Sequence, residues 1–172
     1  MTQKTRAISL SALLSALTVV SLYFASVWPT GLFGLVAFSS LFSAAAVIES
    51  GVVYGIYVFV VSSALGMLIL PDKAAPLLFI LFFGYYPVIK SLIERIKSIP
   101  IQWVLKLVVF NAALTVLWFF LKDLFFDFGE NTPGVIIIYL LGSAVFAVFD
   151  YGYSKVLLFY IDRVSKYTKK GK

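Results

Sequence analysis

The sequence contains no cysteine and no histidine, and only 13% of its 172 residues are charged. Without cysteine the chain has no disulfide and no thiol nucleophile, and without either residue it lacks the usual ligands of zinc and haem. A soluble domain carries about 25% charged residues, which cover its surface. The composition therefore excludes thiol catalysis and argues against a redox or metal enzyme, and we expect no cofactor and no metal.

Motifs for nucleotide binding and hydrolysis are also missing from the sequence. It has no glycine-rich phosphate loop ending in lysine, no serine elbow and no pair of carboxylates within one apolar run. We therefore predict that the chain is not an enzyme. If it takes part in active transport, a separate protein must hydrolyse ATP.

Hydrophobic residues make up 62% of the chain and gather in six long runs. A helix needs about 20 apolar residues to cross a bilayer, so the runs predict an all-α membrane protein, a single domain formed by a bundle of six transmembrane helices. Each run ends where proline, glycine or charge interrupts it. The predicted helices are about 7–28, 32–49, 51–70, 75–93, 101–121 and 134–157.

The basic residues predict the orientation of this bundle. If the amino terminus is cytoplasmic, all 14 lysines and arginines except Lys73 and Lys122 fall at or near the cytoplasmic side, as the positive-inside rule expects. Both termini are then cytoplasmic. The net charge of +6 is explained by this topology and by contact with anionic lipids of the bilayer, so we do not predict nucleic-acid binding.

Small residues form one flank of the first helix. Ser11, Ala12, Ser15 and Ala16 recur at spacings of three and four residues, which places them near each other on a helix. Helices in lipid associate through such small side chains because the backbones can approach closely. The flank is predicted either to pack against a neighbouring helix of this chain or to dock another membrane protein.

Several ionisable residues inside the predicted helices lie toward the cytoplasmic side. A charge in the centre of a membrane helix costs roughly 2.5–3.5 kcal/mol on insertion scales, so it needs a partner. We predict a structural cluster of ion pairs, such as Asp150 with Lys106 or Lys90, and keep a proton or ion relay as the alternative. The cluster consists of Glu49, Lys90, Lys106 and Asp150.

Five residues are candidates for binding a small molecule. Asn111 lies near the middle of the fifth helix, where a buried amide requires a hydrogen-bond partner. Tyr85 and Tyr86 lie between Gly84 and Pro87, which distort a helix. Trp118 and Tyr139 add aromatic surface toward the outer side. The alternative for each residue is ordinary packing between helices.

The pair Ala12 and Ala16, the length of the chain and the six helices with both termini inside resemble the substrate-binding S component of bacterial energy-coupling factor (ECF) vitamin transporters. The resemblance implies a protein of the bacterial cell membrane. It implies that the first helix docks on a transmembrane coupling protein driven by two cytoplasmic ATPases. It also implies a ligand pocket on the outer side, among helices four to six and the loop 29–31.

We therefore predict a membrane-embedded binding subunit for uptake of a small vitamin-like molecule. Two other functions stay open. One is a non-enzymatic membrane scaffold for cell-envelope assembly, similar to rod-shape membrane proteins. The other is a binding protein for an apolar cofactor such as a tetrapyrrole or an isoprenoid, which the aromatic content of 17% suggests.

Overall fold

The computed structural model describes residues 2–125 and 134–165, apart from the side chains of 29, 120–125, 164 and 165. Within these ranges the chain is helical almost throughout and has no strand. The predicted all-α fold is therefore confirmed for the described residues. The chain divides into two compact units, Met1–Arg95 and Ile96–Lys172.

The first unit contains four apolar segments and the second contains two. The first three segments are α1 (Gln3–Val27), α2 (Leu32–Ser50) and α3 (Val52–Ile69), with a 3₁₀ turn at Pro29–Gly31 between α1 and α2. The fourth segment consists of α4 (Ala74–Leu78), a π-helical turn (Phe79–Phe83) and α5 (Tyr86–Ile93). The second unit contains α6 (Ile99–Phe125), α7 (Val135–Tyr160) and a π-helical turn (Ile161–Ser165).

Among the described residues, six helices are long and apolar enough to cross a membrane, which confirms this part of the prediction. Their outward faces are apolar as well: Leu68, Ile136 and Val148 are 79%, 76% and 75% exposed. Exposed apolar surface of this extent is unfavourable in water and is accommodated by lipid. The helices are consistent with a multi-pass membrane protein.

Two connections in the first unit show how the sequence ends its helices. Gly51 alone separates α2 from α3 and has a φ of +103°, a conformation that glycine adopts without the strain of a side chain. Lys73 closes the end of α3, since its Nζ donates to the carbonyls of Met67 at 2.8 Å and Leu70 at 2.5 Å. These bonds satisfy carbonyl groups that the helix end leaves without partners.

Helices of the first unit pack through small residues. The buried faces of α1 and α2 carry hydroxyl side chains, many of which are bonded to the backbone of their own helix. Ser15 Oγ donates to the Ser11 carbonyl at 2.9 Å, and Thr18 Oγ1 donates to the Leu14 carbonyl at 2.8 Å. Because such bonds satisfy the hydroxyls locally, these small side chains can pack tightly without a partner on the next helix.

The fourth segment is distorted where the sequence places Gly84 and Pro87. The N–H of Gly84 donates to the Phe79 carbonyl at 2.7 Å, one residue farther back than in an α-helix. A Cβ atom at Gly84 would lie 2.5 Å from Phe59 Cδ2 and 2.6 Å from Phe79 Cε1. Glycine therefore allows two rings to pack against the backbone at this point.

The helices of the second unit continue beyond their predicted ends. Instead of stopping at 121, α6 continues to Phe125, and α7 continues to Tyr160 rather than 157. The four residues that follow 121 include neither proline nor glycine, so nothing in them stops a helix. Charge in the sequence had suggested a boundary there, but charged residues are compatible with helix.

Candidate functional site

Polar side chains meet along the contact between α6 and α7. Three pairs follow one another along the two helices, which run in opposite directions: Lys106 with Asp150, Asn111 with Ser143, and Thr115 with Tyr139. We call these six residues the α6–α7 seam. The rings of Phe110 and Phe146 stack between the first two pairs, with centroids 4.6 Å apart.

The ion pair is the most deeply buried part of the seam. Lys106 Nζ lies 2.9 Å from Asp150 Oδ2, and the two side chains are 7% and 3% exposed. Removing two charges from water costs several kcal/mol per ion, and close pairing offsets much of that cost. Lys106 Nζ also lies 5.7 Å from the centre of the Trp103 ring, within the range of a cation–π interaction.

Asn111 is bonded both to its own helix and to α7. Its Nδ2 donates to the Leu107 carbonyl at 2.8 Å and to Ser143 Oγ at 3.3 Å. The Ser143 hydroxyl also lies 3.5 Å from Asn111 Oδ1, which is long for a hydrogen bond. The amide nitrogen thus has hydrogen-bond partners, as a polar group in an apolar environment requires. The amide oxygen can accept a further hydrogen bond.

Thr115 and Tyr139 form the third pair. Their hydroxyl oxygens lie 2.6 Å apart, and Thr115 Oγ1 donates to the Asn111 carbonyl at 2.7 Å. Asn111, Thr115, Tyr139 and Ser143 are all half-buried. The second and third pairs of the seam are therefore less enclosed than the ion pair.

The other candidates for substrate binding have different surroundings. In the first unit, Tyr85 donates its hydroxyl to the Leu81 carbonyl at 2.6 Å, while Tyr86 is fully buried with its ring 4.8 Å from that of Phe82. Trp118 lies on α6 and is buried. Asn111 and Tyr139 are thus brought together in the second unit, whereas Tyr85 and Tyr86 lie in the first unit.

Lys106 and Asp150, two members of the predicted cluster of ionisable residues, form an ion pair in the second unit. Besides the Lys106 pair, Lys90 Nζ lies 2.8 Å from Glu94 Oε1 in the first unit. Lys90 is buried, and Glu94 is exposed at the end of α5. Glu49 is half-buried near the end of α2.

The four small residues of the first helix face in two directions. Ser11 and Ser15 are buried, and Ser62 on α3 donates its hydroxyl to the Ser15 carbonyl at 3.3 Å. Ala12 and Ala16 are exposed. Of the two predicted roles for this flank, the serines serve packing inside the first unit and the alanines are accessible to another protein.

Sequence reasoning missed Thr115 and Ser143. Thr115 follows Asn111 by one helical turn, and Ser143 follows Tyr139 by the same spacing, so each belongs to the same face as a residue that was singled out. A search for polar residues at this spacing would have found both. The pairs themselves could not be predicted in this way, because they depend on the register between α6 and α7.

Within residues 2–125 and 134–165, no group of three or more aspartates, glutamates, cysteines or histidines is placed to hold a metal ion. The seam instead offers hydrogen-bonding groups and aromatic rings, which can bind a molecule without bond-breaking chemistry. Comparison of the chain with protein-family models, with curated proteins and with solved structures gave no match.

Proposed function

We propose that the chain is a substrate-binding subunit embedded in the bacterial cell membrane, which takes up a small vitamin-like molecule together with a separate ATP-driven coupling complex. The observation that supports this best is the half-buried part of the α6–α7 seam. Polar groups are costly in helices of this hydropathy unless they have partners or a function. A bound polar molecule would provide partners for the groups that the seam leaves open.

The proposal assigns ATP hydrolysis to other proteins because the sequence has no phosphate-binding loop. Their docking position is proposed to be the exposed face of α1 that carries Ala12 and Ala16. Small side chains there allow a second helix to approach closely. The same topology proposal places both termini in the cytoplasm, as the distribution of lysine and arginine favours.

The function is tested by native mass spectrometry of the purified protein. We expect a water-soluble small molecule to co-purify with the wild type and to be lost from Ser143→Ala. The matched control is Ser91→Ala, because Ser91 is also half-buried and its hydroxyl is bonded to the Val88 carbonyl. A lipid-like pigment would indicate an apolar-cofactor protein instead. Bound proteins without any small molecule would indicate a scaffold.

Docking is tested by a separate pair of variants. Ala12→Leu with Ala16→Leu is expected to abolish uptake of the co-purifying compound while the isolated protein still binds it. The control, Leu13→Ala with Leu17→Ala, changes two residues of the same helix that are also exposed, and uptake should persist. Loss of both binding and uptake in the first variant would assign this face to folding.

The orientation is tested by fusing reporters to the chain. Alkaline phosphatase, which is active outside the cytoplasm, should be inactive after Lys172 and active when inserted after Glu130. The reverse result would place the basic residues on the outer side and would contradict the proposed direction of uptake.

A further inference from the structure

We propose that the α6–α7 seam binds a molecule that presents hydrogen-bond donors, N–H groups above all, in preference to one that presents carboxylate or phosphate oxygens. This inference rests on the proposed function and adds the chemical class of the substrate. It follows from the positions of hydrogens on Asn111, Thr115 and Tyr139, which the contacts of these side chains fix.

The orientation of the Asn111 amide is determined by the Leu107 carbonyl. The amide atom that lies 2.8 Å from this carbonyl must be the nitrogen, because two acceptors at that distance would repel each other. The second hydrogen of the nitrogen is directed to Ser143 Oγ at 3.3 Å. Both donors of the amide are therefore in use, and Oδ1 has the 3.5 Å approach of the Ser143 hydroxyl and further room to accept.

The direction of the Thr115–Tyr139 bond follows from the same reasoning. Thr115 Oγ1 lies 2.7 Å from the Asn111 carbonyl oxygen, which only accepts, so the single hydroxyl hydrogen of Thr115 is directed there. Between the two hydroxyls, which are 2.6 Å apart, the donor must then be Tyr139. The phenol hydrogen is used within the seam, and the phenol oxygen keeps lone-pair capacity to accept.

The unused capacity of these four half-buried side chains is thus mainly that of acceptors, at Asn111 Oδ1 and Tyr139 Oη, with the Ser143 hydroxyl hydrogen as the remaining donor. One helical turn of about 5.4 Å separates the two pairs along the helix axis. Residues 107–119 and 135–149 include no lysine or arginine, and Lys106 is paired with Asp150. An anion would meet acceptors here, whereas an amine, an amidine or an N–H heterocycle would meet complementary groups.

Two probes of similar shape and opposite hydrogen-bonding character test the inference. Benzamidine presents N–H donors, and benzoate presents carboxylate acceptors. Binding of each to the purified protein is measured by saturation-transfer NMR, after bound molecules have been removed. We expect benzamidine to bind at least about tenfold more tightly, the effect of one lost charge-assisted hydrogen bond. The net charge of +6 favours benzoate, so it works against the expected result.

Two substitutions locate the effect in the seam. Tyr139→Phe removes one of the two acceptors and should weaken benzamidine binding about tenfold. Thr115→Val leaves the Tyr139 hydroxyl in place but removes the group to which it donates, so its hydrogen becomes available. This variant should still bind benzamidine, and it should bind benzoate more tightly than the wild type does. Size-exclusion chromatography checks that both variants stay monodisperse.

Each outcome decides a separate claim. Tighter binding of benzoate than of benzamidine, or failure of both probes to bind, overturns the inference about the substrate class. The mass spectrum of the wild-type protein then decides the proposed function independently: a co-purified water-soluble molecule preserves it, and that molecule's own donors and acceptors can be compared with the seam. Equal benzamidine binding by wild type and Tyr139→Phe would also overturn the inference, because it would show that the Tyr139 oxygen, one of the two acceptors on which the inference rests, does not bind the probe.

Discussion

In the first unit, many buried hydroxyls of α1 and α2 are bonded to carbonyls of their own helices, whereas in the second unit amide, hydroxyl and charged side chains are bonded across the helix pair. The first arrangement leaves smooth surfaces that pack closely. The second depends on particular partners being opposite each other. Close packing through small residues tolerates many partners, whereas paired polar side chains tie α6 and α7 to one particular register.

The largest expected effect comes from breaking the ion pair of the second unit. Asp150→Leu leaves the Lys106 charge without its carboxylate, and we expect the free energy of unfolding to fall by about 3 kcal/mol. The double variant Lys106→Met with Asp150→Leu should recover most of this loss, since neither charge remains. Unfolding in mixed detergent micelles by titration with SDS measures both.

Lys155→Met is the control for that experiment. Lys155 lies on α7 but is exposed, with its Nζ 5.4 Å from the centre of the Tyr151 ring. We expect a change below about 1 kcal/mol. A loss as large as that of Asp150→Leu would mean that changing any charged residue on α7 is destabilising and that burial of the ion pair does not explain the effect.

An intermediate effect is expected from crowding the first unit. Gly84→Ala puts a methyl group against the rings of Phe59 and Phe79, and overpacking of this kind costs about 1–3 kcal/mol. Gly34→Ala is the matched control, because a Cβ there meets nothing within 4 Å and alanine favours helix. Equal thermal stability of the two variants in detergent would show that the first unit is not closely packed around Gly84.

The smallest expected effect distinguishes hydrogen bonds between two side chains from hydrogen bonds to the backbone. A double-mutant cycle with Asn111→Ala and Ser143→Ala should give a coupling energy of about 0.6 kcal/mol, the average for hydrogen bonds between membrane helices. The cycle with Ser15→Ala and Ser62→Ala should be additive, because Ser62 donates to the backbone carbonyl of Ser15, which alanine retains. Coupling in the second cycle and none in the first would reverse the comparison.

In the first unit, the ends of α2 and α3 could be predicted from the sequence, because they depend on local chemistry. Gly51 interrupts a long apolar run, and Pro71 ends the apolar run that follows. In the structure, α2 ends at Ser50 and α3 ends at Ile69. The distortion near Gly84 and Pro87 follows from the same local rules. Such signals need no knowledge of the neighbouring helices.

Which face of a helix is buried was harder to predict. Apolar residues surround α1 on all sides, so its sequence lacks the contrast between faces that shows the inner side of a helix in a soluble protein. Ser15 and Ala16 are neighbours in sequence, but one is buried and the other exposed. Likewise, the need of Asn111 for a partner was predictable, whereas the choice of Ser143 depends on how far α7 is shifted along α6.

The one-residue connection at Gly51 has a consequence for how the protein is made. Because a single residue joins α2 to α3, a translocation channel would meet no loop between the two helices. In a bilayer, the two helices would leave the channel together as a ready-formed hairpin. A bulky residue at position 51 would then impair insertion during biosynthesis, before it could destabilise the folded protein.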